Sequence, residues 1–230
     1  MIKTEQYLDL SQTDHEELFD EAQFPWDVLP ILHEYIEYAL KDGSEMHGDV
    51  EQTAYVGKSV IVGKGTVIEP GVVIKGPAII GENCQIRSGA YIRENVIVGD
   101  GCTIGHCSEL KNCLLFNGAV VAHFNYVGDS VLGYKSHLGA GAVISNVKAE
   151  PSEIKVTTIE QNYDTGLLKF GAIVGDEAEI GANAVLNPGT MIGKRAVVYP
   201  TAMIRGVVNS DAIVKVRQKQ QVVSKRGINL

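Results

Sequence analysis

The amino-acid sequence predicts an all-β protein, a parallel β-helix of hexapeptide repeats behind an N-terminal helical segment. Three observations predict it. An apolar residue falls on every sixth position from Val50 onward: Val50, Val56, Val62, Ile68, Ile74, Ile80, Ile86, Ile92, Val98, Ile104, Leu110 and Phe116. A mostly small side chain stands two residues before each anchor, as at Ala54, Thr66, Ala78, Cys84, Ala90, Cys102 and Ser108. After an interruption the ladder returns at Val174, Ile180, Leu186, Ile192, Val198 and Ile204. A six-residue period fits neither a helix nor an alternating strand. It fits three short strands to a coil of eighteen residues, each rung turning one long and one small side chain inward. Corners fall between rungs, where Gly relieves strain. Coils stack at about 4.8 Å, so residues eighteen apart sit one above another.

The first 48 residues do not repeat. Thr13 and Glu16 have capping-box spacing before a short acidic helix, about 14–22. A second helix is expected over about 27–40, with Pro30 early and Gly43 as the stop. Val28, Ile31, Leu32, Tyr35, Ile36, Ala39 and Leu40 line its apolar face, which is expected to cap the open end of the β-helix or pack on a neighbouring subunit.

The β-helix is expected over 49–208. After Phe116 the ladder slips: Ala122 keeps the register, Val127 and Leu132 follow at five-residue steps, and six-spacing resumes at Leu138 and Ile144. Residues 145–173 lack the pattern but include the strand-like EIKVTTI, so an ordered loop reaching towards a neighbouring subunit is expected. Residues 209–230 read as a tail carrying Lys215, Arg217, Lys219, Lys225 and Arg226, either solvated or meeting a phosphate.

The chain has 230 residues, 45% of them hydrophobic, enough for a full core. It has no apolar run near eighteen residues, and its start, MIKTEQYLDL, is polar and acidic, so a soluble cytoplasmic protein without a membrane partner is expected. The net charge of −8 argues against nucleic acid. It is divided unevenly: −12 over residues 1–53 and +4 over the rest, so the repeat could attract a small anion. Cys84, Cys102, Cys107 and Cys113 lie within the repeat. Cys84 and Cys102 are eighteen apart, which admits a disulfide or metal pair, but buried free thiols are the expectation.

Chemistry is sought at the corners. Gly57, Lys75, Arg93 and Lys111 each follow an anchor, eighteen apart, and should stack as a basic ladder. Such a ladder suits a phosphate or is a solvated ridge. Glu109, two residues before Lys111, could accept a sugar hydroxyl or neutralise that lysine. Of six histidines, His123 stands where the register breaks, and an imidazole can take a proton at neutral pH. No two histidines have the five-residue spacing of a β-helix carbonic anhydrase, so no metal site is expected.

The stretch AHFNYVGDSVLGYKSHLGAGAVISN resembles the acetyltransferase β-helix of the bifunctional UDP-N-acetylglucosamine pyrophosphorylase/glucosamine-1-phosphate N-acetyltransferases and related sugar-1-phosphate nucleotidyltransferases. The matching positions are His123, Tyr126, Gly128, Asp129, Gly139, Ala140, Gly141 and Asn146. DTGLLKFGAIVGD, with Lys169, looks like the archaeal-type members, and FPWDVLPIL resembles the linker that joins their two domains. The resemblance implies a left-handed β-helix and a homotrimer with sites between subunits. It implies acetyl-CoA as co-substrate and an amino-sugar 1-phosphate or nucleotide sugar as acceptor, with His123 the general base that deprotonates the attacking amine. Arg93 and Lys111 would hold the sugar phosphate, Tyr126 and Asn146 the sugar, and Lys155 or Lys169 would come from the loop. Backbone amides near Ala140 would face the oxyanion, Ala182 would leave room for the pantetheine arm, and Arg217 is the tail candidate on the CoA side.

This sequence also departs from that pattern. It shows no Gly-rich loop with a Thr-Arg-Leu-type signature, so pyrophosphorylase activity is not expected. His137 stands where the family has an Asn sugar contact, and Val147 replaces an aromatic or leucine. The rival expectation is a non-catalytic β-helix that binds a sugar nucleotide or, through PWDVL, a separate nucleotidyltransferase chain.

Overall fold

A computed structural model describes residues 2–217 and 219–224. Lys225 and Arg226 of the expected tail lie outside the described residues. The chain winds as a parallel β-helix with three faces. The first face stacks nine short strands, from Asp49–Val50 through Thr103–His106, Val120–His123 and His137–Leu138 to Ile213–Val214. The second and third faces join in one fourteen-stranded sheet, because Glu109–Leu115 and Tyr126–Leu132 run unbroken around the corner between them. Rungs between the two ends pair in parallel with the coils above and below. Strand parity then sends alternate residues inward, so Ile68, Ile74, Ile86, Ile92, Ile104 and Leu110 are fully buried along the axis, with Thr66, Val72, Cys84, Ala90 and Cys102 filling beside them.

The inner register departs from the expected ladder at its last anchor. Leu115 pairs with Val98 and Leu132 and lies in the axial core; Phe116 is buried in a second cluster on the outside. Val121, not Ala122, is the next inner residue. The shortened rungs therefore run from Leu110 to Leu115 and from Val127 to Leu132, both on the third face. The coils that span them have 17 residues where Thr66 and Cys84 stand 18 apart. Two adjacent apolar residues, Leu115 and Phe116, satisfy the pattern equally. The corner geometry chooses between them.

That second cluster relocates the N-terminal segment. Third-face rungs present an apolar middle residue outward, and Ile79, Ile97, Leu114, Val131, Ile173 and Met191 are all buried. Leu8, Leu18, Phe19, Trp26, Val28, Leu29, Leu32 and Ile36 pack against them. The segment thus lies along the side of the β-helix, not over its open end, because the largest uncovered apolar strip is lateral. Its helices are shorter than expected. Glu16–Phe19 is a single 3-10 turn in place of the 14–22 helix, with Thr13 Oγ1 accepting the His15 N–H at 3.3 Å. The second helix is α-helical only over Leu32–Ala39, flanked by 3-10 turns at Leu29–Ile31 and Leu40–Asp42. Gly43 ends it in a left-handed conformation, φ 108°. Trp26, Val28 and Leu29 are buried, so PWDVL is taken up by the chain's own β-helix and is not a free docking motif.

The interrupting loop is ordered. EIKVTTI forms one strand of an antiparallel hairpin, Lys155–Thr157 against Asn162–Asp164. Tyr163 and Phe170 bring the loop back onto Trp26, with ring centroids 6.4 and 5.8 Å away. The coils then resume in register, His137 pairing with Glu179 across 42 residues. All four cysteines are free, and Cys84 and Cys102 turn their thiols to the Gly99 and Phe116 carbonyls at 3.1 and 3.2 Å. Burial pushes the Cys84, Cys102 and Cys113 thiols up from their ordinary values. No helix among the described residues is long and apolar enough to cross a membrane.

Candidate active site

The basic ladder forms at the corner between the second and third faces. Lys75 donates its N–H to the Ile92 carbonyl at 2.8 Å and Arg93 its own to the Leu110 carbonyl at 2.9 Å, which stacks Lys75, Arg93 and Lys111 in one column. The repulsion this would cost is offset by acids. Arg93 reaches Glu109 at 3.0 Å and Glu94 at 3.4 Å, while Lys111 lies 3.9 Å from Glu94 and 4.0 Å from Asp129. Burial works against the Glu94 charge, but its own backbone N–H, Arg93 and Lys111 outweigh it and hold the carboxyl below its usual range. Lys75 makes no ion pair among the described residues; its ammonium lies 5.2 Å above the Tyr91 ring.

Tyr126 is the register neighbour of Glu109. Burial raises its phenol pKa, and the nearby charges of Asp129 and Glu109 raise it further. Its hydroxyl and the Asn146 amide lie over Gly128, where a Cβ would stand 2.6 Å from Tyr126 Oη and 2.7 Å from Asn146 Nδ2. Asn146 donates to the Asp129 carboxylate. Phe170 donates its N–H to the Asn146 carbonyl at 3.0 Å, which sets exposed Lys169 beside this corner.

His123 occupies the corner between the first and second faces, three residues before Tyr126. Asn125 fastens that corner: its Oδ1 accepts the His123 N–H at 2.9 Å, and its Nδ2 donates to the Gly139 and Ala142 carbonyls at 2.8 and 3.0 Å. The Gly141 N–H donates to the His123 carbonyl, Asn183 to Ala140 and Thr201 to Ala182, each at 2.9 Å, so His123, Ala140 and Ala182 form one column. The His123 ring is exposed and makes no hydrogen bond among the described residues. The Ala140 N–H is likewise uncommitted there.

Six of the sequence-derived candidates thus meet at one corner (Arg93, Glu109, Lys111, Tyr126, Asn146, Lys169) and three at the next (His123, Ala140, Ala182). The others lie elsewhere. His137 is on the first face with Nδ1 2.7 Å from Glu179, Lys155 pairs with Asp164 at 2.7 Å on the hairpin, and Arg217 is exposed in the tail. The structure adds a polar ladder that sequence reasoning missed: Asn95, Asn112, Asp129 and Asn146, each 17 residues from the last. Asn95 donates to Asn112 at 3.3 Å and Asn112 to Asp129 at 2.9 Å. The first three hold left-handed backbone, φ 60°, 46° and 47°, which suits Asn and Asp. The signal in the sequence is the 17-residue spacing, one short of the eighteen-residue coil. Among the described residues no His, Cys, Asp and Glu cluster could hold a metal ion.

Fold and repeat define a hexapeptide-repeat parallel β-helix protein: residues 171–199 match the hexapeptide repeat of succinyl-transferase. Residues 74–162 match the GMPPB C-terminal domain. The chain is 34% identical over 113 residues to the bifunctional sugar-1-phosphate nucleotidylyltransferase/acetyltransferase of Sulfurisphaera tokodaii, covering 49% of this chain and 28% of that protein. It is 31% identical over 203 residues to a bifunctional protein GlmU of Methanococcus maripaludis, covering 88% of this chain and 48% of that one. The chain spans about half the length, or less, of these relatives. Among solved structures, the UDP-N-acetylglucosamine acyltransferase of Francisella novicida is similar at 16% identity, with 70% and 60% of the two chains covered and a TM-score of 0.48.

Proposed function

We propose that this chain is an acyltransferase, using acetyl-CoA to N-acetylate an amino-sugar 1-phosphate or related nucleotide sugar. The observation that carries the reading is the pairing of two corners along one face: the acid-paired cations Arg93 and Lys111 with Tyr126 and Asn146, and exposed His123 three residues before Tyr126. The relatives' names, which join a sugar-1-phosphate nucleotidyltransferase with an acetyltransferase, support it. Arg93 and Lys111 bind the phosphate, displacing part of their acid pairing, and Lys169 adds charge from the loop exit. Glu109, Tyr126 and Asn146 orient the sugar. His123 takes the amine proton as nitrogen bonds to the acyl carbon and the carbon–sulfur bond breaks, with the Ala140 N–H available to the developing oxyanion. Ala140 and Ala182 leave the column clear for an extended thiol arm.

The site is completed in a homotrimer. Tyr55 and Met203 on the second face and Phe124 beside His123 are 60, 65 and 60% exposed in the single chain, and the His123 ring has no orienting partner among the described residues. A neighbouring subunit supplies both cover and partner, and the setting is cytoplasmic. The same unoriented ring favours a second reading, a non-catalytic β-helix that binds a sugar nucleotide or accompanies a separate nucleotidyltransferase chain docked away from PWDVL.

A thiol-release assay with acetyl-CoA and glucosamine or galactosamine 1-phosphate decides. His123→Ala should lower the rate by roughly 10²–10⁴. A wild-type rate no greater than that of the variant, with sugar-phosphate binding intact by calorimetry, replaces the first reading with the second.

A further inference from the structure

A cleft of about 1070 Å³ lies between the hairpin and the last coils. None of His123, Arg93, Lys111, Tyr126 or Asn146 lines it. Its charge is opposite to that of the chain: Lys148, Lys155 and Arg205 line it against one carboxylate, Glu160, in a protein of net −8. Lys155 is neutralised by Asp164. Lys148 donates only to uncharged oxygens, Ser152 Oγ at 3.3 Å and the Glu153 carbonyl. Arg205 makes no ion pair or hydrogen bond among the described residues. Two cations without a carboxylate partner share one concave space, where low-dielectric walls strengthen their pull on an anion.

The remaining lining says what kind of anion. Tyr163 is 9% exposed and held edge-on by Phe24 and Trp26, so its ring is a rigid wall. Ile159, between the two hairpin strands, also lines the cleft and is fully exposed. An aromatic wall and a free apolar side chain suit a flat ring, and the space is at the top of the range for small-molecule sites, of order 300–1,000 Å³. Arg is suited to a diphosphate because its planar fork engages two oxygens together.

We infer that this cleft binds a nucleoside diphosphate, with Arg205 and Lys148 on the phosphates and Tyr163 and Ile159 about the base. It is a binding claim and stands apart from acyl transfer. Calorimetric titration of the intact protein with ADP, adenosine and inorganic pyrophosphate tests it, on wild type and on Arg205→Gln, Lys148→Gln and Lys111→Gln. ADP should saturate one site per chain and bind more tightly than pyrophosphate, while adenosine shows no binding. Arg205→Gln and Lys148→Gln should each weaken ADP about tenfold or more, the worth of a charge-assisted hydrogen bond, and each by more than Lys111→Gln does. Absence of saturable ADP binding to the wild type overturns the inference. So does binding that Lys111→Gln abolishes and Arg205→Gln spares.

Discussion

Arg93 and Glu109 meet at 3.0 Å across one coil, both side chains about one-third exposed. The pair holds the guanidinium over the second face without a large stake in stability, since exposed pairs contribute about 0–1 kcal/mol. Arg93→Gln and Glu109→Gln should each change urea-unfolding stability by no more than about 1 kcal/mol. Arg93→Gln should weaken glucosamine 1-phosphate binding about tenfold or more, the loss of a charge-assisted contact. Glu109→Gln, which frees the cation, should weaken it far less. Equal losses in the two variants would show that the pair, and not the cation, is what the ligand needs.

Glu94 sets a pH dependence with a definite sign. Its folded carboxyl titrates below the ordinary 4.5 despite the opposing effect of burial. A lowered value means that its stabilising contribution is complete above about pH 4.5 and is lost as pH falls through the folded value. Glu94→Gln should therefore be less stable than wild type near neutrality. The two unfolding curves should converge in acid. A gap that widens as pH falls would contradict the assignment.

Two glycines separate fold from site. A Cβ at Gly105 would lie 1.3 Å from the Ala122 carbonyl oxygen, a backbone atom that cannot step aside. The three atoms nearest a Cβ at Gly128 all belong to side chains, Tyr126 Oη, Asn146 Nδ2 and Tyr126 Cε1 at 2.6, 2.7 and 2.9 Å. Gly105→Ala should lose at least about 1–3 kcal/mol in chemical denaturation. Gly128→Ala should keep most of its stability while losing acceptor binding. The reverse order would mean that Tyr126 and Asn146 are packing residues first.

Much of this architecture is written locally. The hexapeptide period names nearly every inner residue from Val56 to Leu110, because each rung repeats the same inward turn. The basic corner was legible for the same reason: Lys75, Arg93 and Lys111 keep the coil period. Asn95 and Asn112, and the ladder that joins them to Asp129 and Asn146, escaped notice because two third-face rungs are one residue short. The placement of Trp26 was hidden too, since its partners Tyr163 and Phe170 lie more than a hundred residues away.

Alone, the amino-acid sequence determined the parallel β-helix, its interruption near Ser145 and the corners that carry charge. These follow from which side chains can stack around a narrow axis, a matter of spacing along the chain. Only the tertiary structure decided that Leu115 turns inward and Phe116 outward, and that the N-terminal segment lies along the third face. It alone set His137 and Lys155 apart from the Arg93–Lys111 corner within the chain and closed the hairpin into a cationic cleft. Each of those outcomes turned on competition between apolar or charged groups of equal local merit, resolved by which distant surface was left uncovered.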